Sequence, residues 1–288
     1  MIPRPYAYVN GRLVRKSKAH LAIDDRGWRF GDGLFETIAI HHGVPYQWEF
    51  HCTRLRDGLA ALAIPLPDLP LEYTVKKLLH KNRQTGGFIR LSISRGVGSR
   101  GYRPHPANLT PSLVIESLRA MDGTLAPARL WVSAWQRVLP TQLPSQFKLA
   151  QGITSTLALL EAAQHEADEA LLLNPHGQIA EAASANIFWS KKGTLYTPSL
   201  TTGCVRGSMR AVVMRLSPLP VVEVEAPLAA LAEAECVWLT NGRIGIRSVA
   251  EIVPADYRYA PHELTEALRQ MLARDREEYS NIHAGVWR

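Results

Sequence analysis

The segment Ala167–Trp189, ADEALLLNPHGQIAEAASANIFW, decides how this chain is read. Its run Glu169–Leu173 has the composition of a strand, Asn174–Gly177 that of a turn, and Asn186–Trp189 that of a further strand. Glu181 lies after the turn and is the sole acid between Glu169 and Glu223. A lone carboxylate among apolar and small residues is either an edge-strand group in water or a counter-charge for something bound. Working outward, Gly203–Gly207 (GCVRG) leads into a segment, Arg206–Leu216, with helical spacing, and the amides of such an entry loop suit a phosphate. Upstream, Lys148 stands in LPTQLPSQFKLAQG (Leu139–Gly152), a stretch otherwise without lysine, arginine or acid. A lysine in apolar surroundings loses solvation, its pKa falls, and its free amine can form a Schiff base; on a loop it can equally be an ordinary surface residue.

The rest of the pattern predicts an α/β (α+β) protein of two domains, residues 1–120 and 128–288, with Met121–Pro127 (MDGTLAP) as linker. Tyr6–Val9, the Asn10-Gly11 turn and Arg12–Val14 read as a hairpin, and Phe35–Ile40 with Val44–Tyr46 as another. Helices are expected at Glu49–Ala63, Leu71–Asn82, Thr154–Glu166, Pro227–Ala234 and Pro261–Glu278. Further strands are expected at Phe88–Ser94, Leu113–Ser117, Leu130–Ala134, Val221–Val224 and Cys236–Thr240.

The chain has 288 residues, 46% of them hydrophobic, and a net charge of +7. That balance favours an anionic partner, but the basic residues are scattered, so a small anionic substrate is expected rather than nucleic acid. Cys52, Cys204 and Cys236 are widely spaced, without a CxxC pair, which argues against a disulfide framework and a zinc site. The start, MIPRPYAYVN, lacks the charged and apolar regions of a secretory signal, and no apolar run is long enough to span a bilayer. A cytoplasmic protein away from the membrane is the expectation.

Gly96, Gly98 and Gly101 spell GxGxxG after an expected strand, but YRPHP follows, and Pro104 and Pro106 obstruct the helix that a dinucleotide site needs. The loop reads instead as a flexible segment whose Arg95, Arg100 and Arg103 can grip carboxylates.

Five segments, in order, resemble the class IV, or fold-type IV, pyridoxal-phosphate enzymes. They are DDRGWRFGDGLFETI (Asp24–Ile38), HCTRL (His51–Leu55), FKLAQ (Phe147–Gln151), Ala167–Trp189, and LYTPSLTTGCVRGSMR (Leu195–Arg210). The resemblance implies two α/β domains with pyridoxal 5'-phosphate between them, in a homodimer. It implies that Lys148 holds the cofactor and that Glu181 faces its pyridine nitrogen. It gives the phosphate to Arg54, to the amides of Val205 and Arg206, and to Thr240 and Asn241. Within the family the chain is most similar to the aminodeoxychorismate lyases. Thr37, where branched-chain aminotransferases usually show glycine, then supplies a hydroxyl for proton transfer. ISRGVGSRGY (Ile93–Tyr102) resembles the lyase loop, which makes Arg95, Arg100 and Arg103 candidate substrate ligands. Leu149-Ala150-Gln151 after the lysine departs from the lyase pattern.

Overall fold

The structure, a computed structural model, describes residues 5–67, 70–98, 101–105, 110–120, 123 and 125–287. Arg100, Pro106 and three positions of the expected linker (Met121, Asp122 and Thr124) lie outside the described residues. The chain divides into two compact units. Unit 1 comprises Met1–Asp122, Phe147–Gln151 and Arg276–Arg288; unit 2 comprises Gly123–Gln146 and Gly152–Asp275.

Unit 1 is built on strands β1 (Tyr6–Val9), β2 (Arg12–Arg15), β3 (Gly33–His41), β4 (Val44–Pro45), β5 (Gly87–Ser94) and β6 (Ser112–Leu118). Among the described residues they form one sheet in the order β2-β1-β6-β5-β3-β4, with every pairing antiparallel. Two tight turns carry positive φ at both central residues, Asn10-Gly11 and His42-Gly43, the geometry that matches strand twist in a two-residue hairpin. Side chains alternate along β3: Leu34, Glu36, Ile38 and Ile40 are buried, while Phe35, Thr37 and Ala39 are only half-buried. Ile89, Leu91 and Ile93 of β5 share the buried face. Against it pack α2 (Trp48–Ala61), through Leu55 and Leu59, and α3 (Leu71–Asn82), through Val75, Leu78 and Leu79. A short helix, α1 (Arg26–Phe30), precedes β3 and is capped by the Asp25 carboxylate, which accepts from the Gly27 amide at 2.8 Å.

Unit 2 holds a mixed sheet. Its strands are β7 (Ala128–Val132), β8 (Glu169–Leu173), β9 (Ile179–Ala182), β10 (Asn186–Lys191), β11 (Thr194–Pro198), β12 (Val221–Val224), β13 (Cys236–Asn241), β14 (Gly245–Val253) and β15 (Tyr257–Arg258). The order is β12-β11-β10-β13-β14-β7-β8-β9, with β15 added to β14. The pairs β11–β12, β7–β14 and β7–β8 are parallel and the others antiparallel. Its helices are α4 (Ile153–Gln164) and α5 (Ser208–Leu216); α6 (Glu263–Trp287) belongs to unit 2 up to Asp275 and to unit 1 from Arg276.

Several details differ from the sequence reading. Pro227–Ala234 is not a helix. Only Leu228–Leu231 makes a 3-10 turn, because Pro227 is held to Gln178 in a β-bridge and Tyr259 Oη donates to the Leu231 carbonyl at 2.8 Å. Strands β9, β11, β14 and β15 and the short helix α1 were not expected, and the last helix runs on to Trp287. The lysine segment Phe147–Gln151 groups with unit 1 rather than with the second half, for reasons visible in its hydrogen bonds (below).

Candidate active site

In unit 1, β4 pairs only with the far end of β3, so the near end keeps an open edge. Phe147–Gln151 fills it. The Phe35 amide donates to the Lys148 carbonyl at 3.0 Å, the Ala150 amide to the Gly33 carbonyl at 2.9 Å, and Leu34 and Leu149 form an isolated bridge. Phe147 anchors the segment in the core beside Gly58 of α2, where an added Cβ would meet its ring and Cβ at 3.1–3.2 Å. Lys148 is thereby fixed to the strand that carries Thr37. Its Nζ lies over the Phe35 ring, 4.6 Å from the centroid. Arg90 of β5 lies over the same ring at 4.0 Å and stands directly opposite Thr37 in register. Phe35 and Thr37 share one strand face by the two-residue period.

The other face of β3 holds a buried cluster. Glu36 accepts from His51 Nδ1 at 2.6 Å and from Arg54 Nε at 2.7 Å, and a second Arg54 nitrogen reaches its other oxygen. His51 and Arg54 sit at i and i+3 on α2 and so reach the same carboxylate. Burial alone would raise the Glu36 carboxyl, but Arg54 and the His51 N–H outweigh it and hold it at about 2. Arg54, expected to hold phosphate, thus has two of its nitrogens on Glu36.

Arg95 is a clamp. Its guanidinium donates to both oxygens of Asp32 and to the carbonyls of Leu62 and Ala63, at 2.8–3.0 Å. It therefore closes the C-terminal end of α2, where carbonyls lack helical partners. Arg26 joins it on Asp32 at 2.8 Å and donates onward to the carbonyls of Gly101 and Tyr102. Burial would raise Asp32, but Arg95 and Arg26 hold it below the ordinary carboxylate range. Much of the segment Asp24–Ile38 therefore builds a frame for the arginine-glycine loop. Asp25 bridges to Val97, and the Gly98 amide donates to the Asp24 carbonyl. The residues 95–98 and 101–105 are irregular, without the helix a dinucleotide fingerprint requires. Arg103 is exposed on this loop, and Arg100 lies outside the described residues.

In unit 2, Glu181 sits on β9, 5% exposed. Arg137 Nε lies 3.0 Å from its Oε1; the Val205 amide donates to Oε2 at 2.9 Å, and Asn186 Nδ2 to the same oxygen at 3.2 Å. Asn186 also donates to the Val205 carbonyl at 2.9 Å. Gly207 completes the turn, because a Cβ there would lie 2.0 Å from Asn186 Oδ1. The expected phosphate amides already have acceptors: Val205 has Glu181, and Arg206 has the Gln146 carbonyl at 2.9 Å. Helix α5, which follows, has neither a side-chain cap nor an acid in its first turn, so its leading amides suit an anion. Thr240, opposite Asn186 in register, donates its hydroxyl to the Gly245 carbonyl at 2.6 Å. Asn241 donates to the Ser184 carbonyl and accepts from the amides of Arg243 and Ile244.

Sequence reasoning missed Glu36, His51, Arg90, Arg137 and Asn186. For Glu36 a signal was present: it takes the core-facing place in the alternation Leu34, Glu36, Ile38, and a buried carboxylate requires partners. Arg137 and Asn186 carry no such local signal.

In kind, each unit supplies groups that a pyridoxal phosphate needs. Unit 1 has an amine on a rigid edge segment, and unit 2 has a nearly buried carboxylate and an uncapped helix start after a glycine turn.

Comparison with known proteins agrees. A family model described as amino-transferase class IV matches residues 33–252. A putative branched-chain-amino-acid aminotransferase of Methanocaldococcus jannaschii is 32% identical over 257 residues, covering 86% of this chain and 85% of that protein. An aminodeoxychorismate lyase of Bacillus subtilis is 27% identical, covering 98% of each. Among solved structures, the 4-amino-4-deoxychorismate lyase of Pseudomonas aeruginosa superposes with a TM-score of 0.82 at 29% identity, covering 93% of this chain and 98% of that one. The fold is that of the fold-type IV enzymes, and the chain belongs to the class IV amino-transferase family of pyridoxal-phosphate-dependent enzymes.

Proposed function

We propose that this enzyme is an aminodeoxychorismate lyase, which converts 4-amino-4-deoxychorismate to 4-aminobenzoate and pyruvate. The observation that carries the reading is the half-buried face of β3. Lys148 Nζ lies over Phe35, a threonine hydroxyl is two residues along the strand, and the Arg90 cation stands opposite that threonine. Elimination needs one group to take a proton from the amine-bearing carbon and return it to the leaving enolpyruvyl oxygen or carbon. It also needs cations for a dicarboxylate. The lyase relatives, one of which matches over 98% of both chains, support the same reading.

Bound pyridoxal phosphate supplies an aldehyde for the substrate amine and a conjugated ring that accepts an electron pair. Lys148 would hold the cofactor, and its amine would take the proton at Nζ. The Phe35 ring and the two backbone hydrogen bonds to β3 keep that amine in place. Thr37 holds or relays the proton toward the leaving group. Glu181, oriented by Arg137 and Asn186, keeps the pyridine nitrogen protonated. Arg54, Val205, Arg206, Thr240 and Asn241 would hold the phosphate end. Arg103 and Arg100 remain the loop cations for substrate carboxylates, and Arg90 joins them. Arg95 takes the part of a clamp. The working form is taken to be a cytoplasmic homodimer, which gel filtration at twice the 32.0 kDa chain mass tests.

The second reading is an aminotransferase acting on branched-chain or D-amino acids, favoured by relatives so named at similar identity. Following 4-aminobenzoate from aminodeoxychorismate, alongside transfer from D-alanine or L-leucine to 2-oxoglutarate, separates the two. Transfer without 4-aminobenzoate would reverse the assignment. Under either reading Lys148→Ala lowers kcat/KM by about 10²–10⁴-fold, while the far-ultraviolet spectrum stays unchanged, because the backbone bonds to β3 survive. Turnover that persists in that variant would remove Lys148 from the chemistry.

A further inference from the structure

The hairpin that ends β3 places two histidines beside the last turns of α6. Along a strand, consecutive side chains point to opposite faces. His42, with φ of 49°, leaves that alternation, and its ring meets that of His41 edge-on at 4.2 Å between centroids. Glu277 of α6 presents Oε2 3.1 Å from His42 Nε2 and 3.6 Å from His41 Nε2. One ligand atom from each residue falls within 4.8 Å of the other two. A tetrahedral ion with ligand distances of about 2.1 Å spaces its ligands by about 3.4 Å, and the two distances to Glu277 bracket that value.

We propose that His41, His42 and Glu277 form a binding site for a divalent ion of the zinc class, separate from the active-site residues. Two imidazoles and one carboxylate are a borderline donor set that suits Zn²⁺ or Co²⁺; Mg²⁺ and Ca²⁺ prefer all-oxygen shells. Access is open, since the His42 and Glu277 side chains are 66% and 52% exposed. A cavity of about 450 Å³ lined in part by His42, Glu277 and Asn281 leaves room for water in the fourth position. Arg276, the nearest cation along α6, lies over the Tyr46 ring at 5.7 Å. The ion ties the end of α6 to β3, where Ser280 Oγ already donates to the His41 carbonyl at 3.2 Å. Since β3 also carries Thr37, metal occupancy stiffens the strand behind the proposed chemistry. The site itself does not depend on which reaction the enzyme performs.

The test uses the cofactor-loaded enzyme, stripped with chelator and titrated calorimetrically with Zn²⁺. One ion is expected per chain, a rise in melting temperature, and with Co²⁺ the intense visible bands of a tetrahedral ion. His42→Asn keeps a residue that tolerates left-handed backbone, and Glu277→Gln keeps the side-chain shape. Each should weaken binding by more than about 100-fold, beyond the cost of losing an outer-shell partner, with the circular dichroism spectrum preserved. The proposal is overturned if the parent takes up no Zn²⁺, if both variants bind as the parent does, or if equimolar Mg²⁺ displaces the ion.

Discussion

Glu36 in unit 1 and Glu181 in unit 2 are both nearly buried carboxylates, each facing an arginine, yet they are built for different ends. Glu36 is 2% exposed, and its partners, His51 and Arg54, come from one helix packed on its strand. Both partners are side chains fixed by helical geometry, and the charge is balanced inside the core. Glu181 is held by Arg137 from the segment after β7, by Asn186 from β10, and by the Val205 amide from a glycine turn. Arg137 and the Val205 amide come from loops that can re-pair, whereas His51 and Arg54 are set on a helix packed against the strand. The carboxylate of a folded core and the one proposed to serve the cofactor thus differ less in burial than in what carries their partners.

The sharpest way to break this comparison is Glu36→Gln. Removing the charge leaves Arg54 buried without its counter-ion, a loss that costs about 3–5 kcal/mol in buried pairs. Urea unfolding of the variant should show that loss in its midpoint, with an unchanged slope. A variant as stable as the parent would mean that the cluster is not a folding element.

Glu181→Gln should do the reverse. Glutamine keeps an acceptor for the Val205 amide, and Arg137 retains its bonds to the carbonyls of Gly203 and Ser145. The expected stability loss is therefore smaller, about 1–2 kcal/mol. Loss of the anion behind the ring should lower kcat by about 10²–10³-fold, the range seen when a positioned electrostatic partner is removed. Steady-state kinetics and the same urea titration, run on both variants, test the crossover. A Glu181→Gln enzyme with near-parental kcat would sink the assignment of that residue.

How far the sequence revealed this follows from the same distinction. The alternation Phe88–Ser94, the spacing of Leu55 and Leu59 and the Asn10-Gly11 turn are local signals, and each names an element found in the structure. Lys148 and Glu181 stood out because their own surroundings were apolar. Strand β14 escaped because Arg247 and Ser248 break its apolar run; its pairing with β13 and β7 decides the matter. Arg95 was read as a substrate grip because nothing near it in sequence shows that Asp32 and the end of α2 close around it. Arg137 meets Glu181 across 44 positions of chain, and no periodicity reports a contact of that range.

The pH dependence of stability separates the members of the Glu36 cluster. Burial is the main cause that holds His51 below the ordinary imidazole value of 6.5; Glu36 opposes it, and Arg54 and Lys148 add to it. The folded state therefore keeps His51 neutral while the unfolded chain takes up a proton below 6.5. The unfolded state binds more protons there, so stability falls as pH drops from 6.5, by at most about 1.4 kcal/mol per pH unit. Glu36 acts in a lower window. Its folded value of about 2 lies below the usual 4.5, so its stabilisation is complete above 4.5 and is lost as pH falls toward 2. Urea midpoints taken from pH 7.5 to pH 3 should show both slopes in the parent. His51→Asn should flatten the upper window, and Glu36→Gln the lower one. An upper slope that survives in His51→Asn would assign it to another histidine and detach His51 from the cluster's energetics.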